Sequence, residues 1–233
     1  MCTVTFLPLK NQGFILTSNR DEQKERKTLP PRIYKENNVN MLFPKDLAAG
    51  GTWIGVSDKH RIICVLNGGF EKHIRKISYG KSRGIITKEL LQANNLETAV
   101  KNLDLTEVEP FTMVLITWHK MDYSLFELVW DGTEKHFHNL EKQPKIWSSS
   151  TLYTKENASL RASWFKNWLQ ENKMSQEHIL DFHHLKKGNE EQSILMKRSY
   201  VETVSISSIN KTGETIQFSY EDLLESKHYK TYF

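Results

Sequence analysis

A cysteine at position 2 is the most chemically distinctive feature of this sequence. Aminopeptidases remove Met1 when the second residue is small, and cysteine meets that requirement. Removal would leave a thiol and a free α-amine on one residue. That amine has an ordinary pKa of about 7.7–8.0, so near neutral pH it can accept the proton of the thiol. Cys2 is therefore predicted to be a catalytic nucleophile, and the alternative is that its thiol is a soft ligand.

Hairpin geometry predicts a carboxylate beside this amine. Two β-rich segments flank a turn signal at residues 10–13, and a two-residue turn in either of its two placements puts Asp21 on the face of Cys2. Asn19 shares that face, whereas Arg20 lies on the opposite one. Only a loop of odd length or a bulge would exchange Asp21 for Arg20. The alternative is that residues 19–22 form a polar turn with internal pairing.

A second candidate group lies between residues 50 and 69. Asn67 ends a predicted strand before two glycines, so it could donate to a developing oxyanion or be an ordinary turn asparagine. Gly51, with its neighbour Gly50, permits close backbone approach or a positive φ. Trp53 could line a pocket, although a tryptophan in a hairpin is more often in the core. Cys64 is interpreted as an inert buried thiol.

The order of segments predicts an α+β fold. Hairpins dominate the chain and helical spacing covers residues 82–93, 96–103, 156–170 and 175–185. Two mostly antiparallel sheets with helices outside would give a four-layer αββα sandwich, with residues 1–233 as a single domain. The polar, proline-bearing stretch from residue 23 to 44 is predicted to be a long loop.

Composition narrows the classes of function. The net charge of +4 is small and its basic runs are interrupted, so no nucleic-acid partner is expected. No apolar run is long enough to span a membrane, and no signal peptide is expected. Two cysteines among 233 residues suggest a reducing, cytoplasmic setting. The histidine pairs fit no metal pattern, so no metal site is predicted and these residues are interpreted as surface histidines: His136, His138, His178, His183 and His184.

Three segments together resemble the NRDE family, the transport and Golgi organisation 2-like proteins. They are Met1-Cys2-Thr3, Asn19-Arg20-Asp21-Glu22, and residues 49–56 with the sequence Ala-Gly-Gly-Thr-Trp-Ile-Gly-Val. The resemblance extends over nearly the whole chain and implies the N-terminal nucleophile hydrolase fold. More distantly, the start of the chain is similar to penicillin V acylases and conjugated bile acid hydrolases, whose N-terminal cysteine attacks an amide.

The resemblance also implies roles for individual residues. Cys2 and Asp21 match in position, Arg20 matches in type but not in spacing, and Asn67 would be the oxyanion donor. A second pocket asparagine is expected near residue 150, where this chain has serines, so the role is either filled by serine or lost. The predicted ligand-binding residues are Asn19, Gly51, Thr52, Trp53, Gly68 and Ser149.

Two functions follow from the resemblance. The first is hydrolysis of a non-peptide amide C–N bond in a small-molecule or lipid-like substrate, with no required cofactor. The second is binding and trafficking of haem or a lipid-like ligand in the same pocket without turnover. His60 and His73 flank the Asn67 segment and are the predicted haem contacts.

Overall fold

The structure is a computed structural model that describes every residue except Met1, Cys2 and Met121. Its helices and strands follow one another along the chain as β1 (Thr3–Pro8), a 3-10 turn (Lys10–Gln12), β2 (Phe14–Glu22), β3 (Thr28–Glu36), β4 (Val39–Asp46), β5 (Ile54–Ser57), β6 (Arg61–Asn67), α1 (Arg83–Gln92), α2 (Leu96–Asn102), β7 (Phe111–His119), β8 (Asp122–Trp130), β9 (Lys135–Leu140), β10 (Lys145–Ser148), α3 (Lys155–Glu171), α4 (Gln176–His183), β11 (Glu202–Thr212), β12 (Thr215–Asp222) and β13 (Lys227–Tyr232).

The chain divides into two compact units, and the first is built from both of its ends. This unit comprises Met1–Arg26 and Gln143–Phe233. Its antiparallel sheet has the strand order β10-β1-β2-β11-β12-β13, so the N-terminal hairpin lies between strands from the C-terminal part of the chain. The pairing of β2 with β11 therefore joins residues that are far apart in sequence.

Helices α3 and α4 cover one face of this sheet. Leu7 and Ile15 on the strands form a buried cluster with Trp164 and Phe165 of α3 and Phe182 of α4. Trp164 and Phe165 are adjacent on α3, and both are buried. Apolar burial of this kind is the main force that holds an amphipathic helix against a sheet.

The second unit, Lys27–Lys142, is continuous in sequence. Its antiparallel sheet has the order β3-β4-β5-β6-β7-β8-β9, and α1 packs on β5 and β6. The Ser82 hydroxyl caps the start of α1 by accepting from the Ile85 N–H. At the other end of α1, the buried guanidinium of Arg61 donates to the Leu90 carbonyl at 2.8 Å, where a cation complements the helix dipole.

The predicted loop over residues 23–44 is wrong, because most of this stretch forms the β3–β4 hairpin. Its turn is Asn37-Asn38, and both residues have positive φ, which suits a two-residue hairpin turn. Pro30 and Pro31 fall where the β3–β4 register shifts. Proline is tolerated there because β3 is an edge strand and the prolines interrupt the pairing.

The described residues form two antiparallel sheets and four α-helices, which confirms the predicted α+β class. No helix among the residues described is long and apolar enough to cross a membrane. The single-domain assignment stays a prediction.

Candidate functional site

The N-terminal hairpin differs from its prediction by one residue in register. Its loop contains three residues, Lys10–Gln12, and Asn11 and Gln12 both have positive φ. Thr3 therefore lies opposite Asn19, and both two-residue registers considered from the sequence are wrong. Odd-numbered positions of β1 now share a face with odd-numbered positions of β2. Cys2 and the pairing predicted for it lie outside the residues that the structure describes.

Asp21 is a buried carboxylate held by two hydroxyl groups. It lies opposite Thr203 of β11, beside an irregularity in that pairing. Its Oδ1 accepts from the Thr203 hydroxyl at 2.6 Å, and its Oδ2 accepts from the Tyr153 hydroxyl at 2.9 Å. The Met196 N–H in turn donates to the Thr203 oxygen. The carboxylate is thereby fixed in one orientation at the end of β2.

Arg161 extends this network from α3 to the start of β1. Its guanidinium carbon lies 3.7 Å from the centroid of the Tyr153 ring, and the residue is fully buried. It donates to the Thr3 hydroxyl at 2.6 Å, to the Gln192 carbonyl at 3.0 Å and to the Ser193 carbonyl. A rigid, planar fork of donors suits such a convergence of oxygen acceptors. Arg161 thus fixes the residue that follows position 2.

Asn19 belongs to a second buried network on the same face. Its amide nitrogen donates to the carbonyls of His183 and Ile194 at 3.1 and 2.9 Å, so its Oδ1 is left as an acceptor. His183 Nδ1 lies 2.6 Å from that Oδ1, and Nε2 lies 2.8 Å from the Thr5 hydroxyl. Burial, with repulsion from Arg161 and His184, lowers the His183 pKa to about 3. The neutral ring therefore carries its proton on Nδ1 and accepts from Thr5.

The predicted surface position of His183 is wrong, because this residue is 0% exposed. Its neighbour His184 is half-buried and lies 2.6 Å from Glu221. That hydrogen bond raises the His184 pKa. Two adjacent helical residues point about 100° apart, so one of the pair enters the core and the other reaches a carboxylate near the surface.

Arg20 lies on the opposite face of β2 from Asp21. It is buried, and its guanidinium donates to the Arg26 carbonyl at 3.5 Å. Tyr220 is close enough for Arg20 to influence its ionisation. Burial raises the Tyr220 pKa to about 12, although the positive charge of Arg20 partly opposes this effect. Tyr220 is therefore a neutral phenol at physiological pH.

Ser149 helps to place Tyr153. The Ser149 carbonyl accepts from the Tyr153 N–H at 3.0 Å, and its hydroxyl lies 2.9 Å from that of Thr151. This turn follows β10, which pairs with β1. Ser149 is buried, so its position supports the Asp21 network from the adjacent strand. Its predicted contact with a ligand stays a prediction.

The Gly50–Trp53 segment makes the close approach predicted for it. Gly50 has a φ of +68°, and a Cβ on Gly51 would lie 2.5 Å from the carbonyl carbon of Gly84. The Thr52 N–H donates to the Gly84 carbonyl at 3.3 Å, and its hydroxyl donates to the Ile54 carbonyl. Trp53 is buried, in agreement with the core interpretation. These residues join the first turn of α1 to the sheet, and their ligand contacts stay predictions.

Asn67 ends β6 opposite Phe111, as the sequence predicts for a strand end. The following Gly68 has a φ of +87°, and its N–H donates to the Pro110 carbonyl at 3.0 Å. The Gly68 carbonyl accepts from the Thr112 hydroxyl. The chain thus leaves the sheet in a fixed turn directly after Asn67. The role of this residue as an oxyanion donor stays a prediction.

His60 and His73 lie at opposite ends of β6. His60 precedes the strand in a turn and contacts the Trp118 ring. His73 follows the strand and its Nε2 lies 3.2 Å from Glu109. A strand of this length, seven residues, spans roughly 20 Å. The two imidazoles therefore do not fit as paired axial ligands of one iron.

Sequence reasoning missed several residues of the two networks, among them Tyr153, Arg161, His183 and Thr203. One of them carries a signal that could have been used. Arg161 lies three, four and seven residues before the apolar positions Trp164, Phe165 and Trp168. An arginine on the apolar stripe of a helix indicates a buried cation with specific partners.

The sequence matches the model of a known protein family. A family model described as Transport and Golgi organisation 2 matches residues 1–231. The chain belongs to this family. No curated protein matches the sequence of this Transport and Golgi organisation 2 family member. The match agrees with the resemblance carried by the N-terminal and Gly-Gly-Thr-Trp segments.

Solved structures similar to this family member have the N-terminal nucleophile hydrolase fold. Penicillin V acylase from Agrobacterium tumefaciens is 11% identical, with a TM-score of 0.60 and coverage of 99% of this chain and 85% of that one. A variant of conjugated bile acid hydrolase from Clostridium perfringens is 10% identical, with a TM-score of 0.57 and coverage of 99% of this chain and 92% of that one. The Caenorhabditis elegans orthologue of N-acylethanolamine-hydrolyzing acid amidase is 9% identical, with a TM-score of 0.52 and coverage of 89% of this chain and 92% of that one. At these identities the similarity concerns the fold.

Proposed function

We propose that the protein is an N-terminal-cysteine hydrolase that cleaves a non-peptide amide C–N bond in a small-molecule or lipid-like substrate. Cys2 would be the nucleophile after removal of Met1. The names of the similar structures describe acylases and hydrolases of amide-containing compounds, which supports a reaction of this class on the same fold.

The observation that carries the proposal is the pair of buried charges at the end of β2. Arg20 and Asp21 are adjacent, both only 3% exposed, and lie at the same end of the sheet as the start of β1. Burial of charged groups costs free energy, so buried charges are retained where they have a functional role or partners that offset this cost. Asp21 has its hydroxyl partners fixed, which suits a group that orients an amine.

The corrected register changes the roles that we propose for these two charges. Continuation of the β1–β2 pairing by one residue would make Arg20 the cross-strand neighbour of position 2. A guanidinium beside a thiol favours the thiolate and lowers the thiol pKa. Asp21, on the other face with Thr3, would instead act on the backbone amine. The sequence left the role of Arg20 open, and stabilisation of the thiolate is the role that we propose for it.

The proposed reaction has two steps. The Cys2 sulfur attacks the amide carbonyl carbon, and its proton passes through the α-amine to the leaving nitrogen as the C–N bond breaks. This releases an amine and leaves a thioester on Cys2. Water, deprotonated by the same α-amine, then hydrolyses the thioester to a carboxylic acid and restores the thiol. Asn67 is the proposed donor to the oxyanion in both steps.

Hydrolysis can be tested with the substrate classes named for the similar structures: an N-acylethanolamine, a conjugated bile acid and penicillin V. We expect turnover of at least one by protein whose intact mass lacks Met1, and complete loss in Cys2→Ala. Cys64→Ala is the matched control, because it removes the other cysteine and should retain turnover. Retention of Met1 on active protein would contradict the mechanism.

Two further variants separate the proposed roles. Asn67→Ala should lower kcat by roughly 100-fold or more if it supports the oxyanion, whereas the exposed Asn139→Ala in the same sheet should not. Arg20→Gln should shift the alkylation of Cys2 by iodoacetamide to higher pH, because the thiolate loses its neighbouring cation. An unchanged alkylation profile would contradict the role proposed for Arg20.

Ligand binding without turnover is a second proposal, and it follows from the family resemblance. The separation of His60 from His73 limits any haem to a single axial histidine from this pair. We expect a saturable Soret shift on haem titration that one of His60→Ala and His73→Ala abolishes and the other preserves. Absence of a saturable shift at micromolar protein would leave a lipid-like molecule as the ligand class to test.

A further inference from the structure

The loop over residues 70–81 exposes bulky apolar side chains to the solvent. Ile74 and Ile77 are fully exposed, and Phe70 is also exposed. Isolated exposed apolar residues are common, but a concentration of bulky ones at full exposure marks an interaction surface. We call residues 70–81 the basic–apolar loop.

Cations surround these isoleucines. The basic–apolar loop contains Lys72, Arg75, Lys76 and Lys81 against one acidic residue, Glu71. Among the residues described, Lys72 and Lys76 are exposed and make no ion pair. Arg75 lies 3.7 Å from Glu109 but its side chain remains 78% exposed. The loop therefore presents positive charge and apolar bulk to the solvent together.

The ends of the basic–apolar loop are fixed to the rest of the second unit. His73 contacts the Glu109 carboxylate at 3.2 Å, and the Gly80 N–H donates to the Glu107 carbonyl at 2.9 Å. The other Glu109 oxygen lies 3.0 Å from Arg83. Glu109 thus holds the base of the loop, while Ile74 and Ile77 remain directed away from any apolar neighbour that could bury them.

We propose that the basic–apolar loop docks the protein on an anionic lipid bilayer, with Ile74 and Ile77 entering the headgroup boundary. Charge complementarity selects this partner. Lysine is depleted at the cores of protein–protein interfaces, whereas bulky apolar residues flanked by lysine and arginine are typical of segments that bind membrane surfaces. Lys72, Arg75 and Lys76 would then face phosphate and carboxylate groups of the lipids.

Co-sedimentation of the full chain with vesicles tests this proposal. We expect binding to vesicles of 30% phosphatidylserine and 70% phosphatidylcholine, weak binding to pure phosphatidylcholine, and weaker binding as salt rises. Lys72→Gln with Lys76→Gln should weaken binding roughly 25-fold, because each cation near the surface contributes about fivefold. Ile74→Ser with Ile77→Ser should weaken it by about tenfold for each side chain.

Two matched controls keep the test specific. Lys166→Gln with Lys173→Gln removes the same charge from another exposed region, and Leu47→Ser with Leu224→Ser removes exposed apolar bulk elsewhere. Both should retain binding, with thermal unfolding unchanged in all variants. The proposal is overturned if wild type does not bind, if the controls weaken binding as much as the loop variants, or if wild type self-associates through Ile74 and Ile77 without binding vesicles. Because no turnover is measured, the outcome is independent of the proposed hydrolysis.

Discussion

Arg161 illustrates how a single buried side chain can organise the start of a strand. Its guanidinium joins the Thr3 hydroxyl, the carbonyls after α4 and the Tyr153 ring. Tyr153 in turn donates to Asp21. Arg161 is therefore linked to Asp21 through the Tyr153 ring and to the start of β1 through Thr3.

Replacement of Arg161 by Met should lower the free energy of unfolding by roughly 3 kcal/mol, because several buried oxygens lose their donor. Arg161→Lys should recover only part of this, since an ammonium cannot reproduce the planar fork. Urea unfolding monitored by circular dichroism provides the measurement. The exposed Lys166→Met on the same helix serves as the control, with an expected change within about 0.5 kcal/mol.

His183 predicts a loss of stability in acid. Its folded-state pKa of about 3 lies below the ordinary 6.5, so the unfolded chain binds more protons between these values. The free energy of unfolding therefore falls as pH decreases from about 6.5 towards 3. The contribution of His183 at pH 4.5 should be roughly 2–3 kcal/mol less than at pH 7.5.

His183→Gln isolates this effect. The variant should be less stable at pH 7.5, but its stability should fall less steeply between pH 6.5 and 4.5 than that of wild type. Denaturant unfolding at several pH values gives both slopes. Parallel slopes for the two proteins would show that protonation of His183 does not contribute.

At the scale of elements, the glycines before β5 join the sheet to α1. Gly51→Ala should destabilise the protein by about 2 kcal/mol or more, because its Cβ would overlap the Gly84 backbone. Gly50→Asn should cost much less, since nothing lies within 4 Å of that position and asparagine tolerates its positive φ. The thermal unfolding midpoints of the two variants compare the steric constraint at Gly51 with the backbone constraint of a positive φ at Gly50. Equal losses would contradict this distinction.

The elements were largely predictable where their hydrophobic period was regular. The helices α1, α3 and α4 begin and end within two residues of the segments predicted from helical spacing. The N-terminal hairpin was predicted in position but not in register, because a turn with Asn11 and Gln12 at positive φ accommodates three residues as readily as two. The strand β3 was missed because prolines usually exclude a strand, whereas here they occupy an edge.

Side-chain partners were less predictable than elements. The sequence drew attention to Asp21 and Asn19, and both belong to buried hydrogen-bond networks. Their partners Tyr153, His183 and Thr203 are more than 100 positions away in sequence, so pairing them requires the tertiary structure. Periodicity shows which face of an element is buried, but it does not specify which distant polar groups meet there.

At the scale of the whole molecule, the two ends of the chain complete one sheet. Strands β1 and β2 occupy interior positions between β10 and β11, whereas β13 is an edge strand. Loss of an edge strand removes the hydrogen bonds to a single neighbouring strand, but loss of interior strands divides the sheet into two parts.

Deletion of residues 227–233 should therefore leave a cooperative unfolding transition at lower stability. Deletion of residues 1–22 should abolish the cooperative transition of the first unit, because β10 and β11 lose the strands between them. Differential scanning calorimetry of both truncated chains gives the comparison. A cooperative transition of the first unit in the second chain would show that the remaining strands can close the sheet by themselves.

The same strand order has a consequence during synthesis. β2 cannot pair with β11 until residue 202 and those after it have left the ribosome. At roughly 5–20 residues per second, β2 waits about 10–35 seconds for β11 to be synthesised. Over that interval the edge of β2 that faces β11 has no strand beside it, so the sheet of the first unit is completed only after β11 has been made.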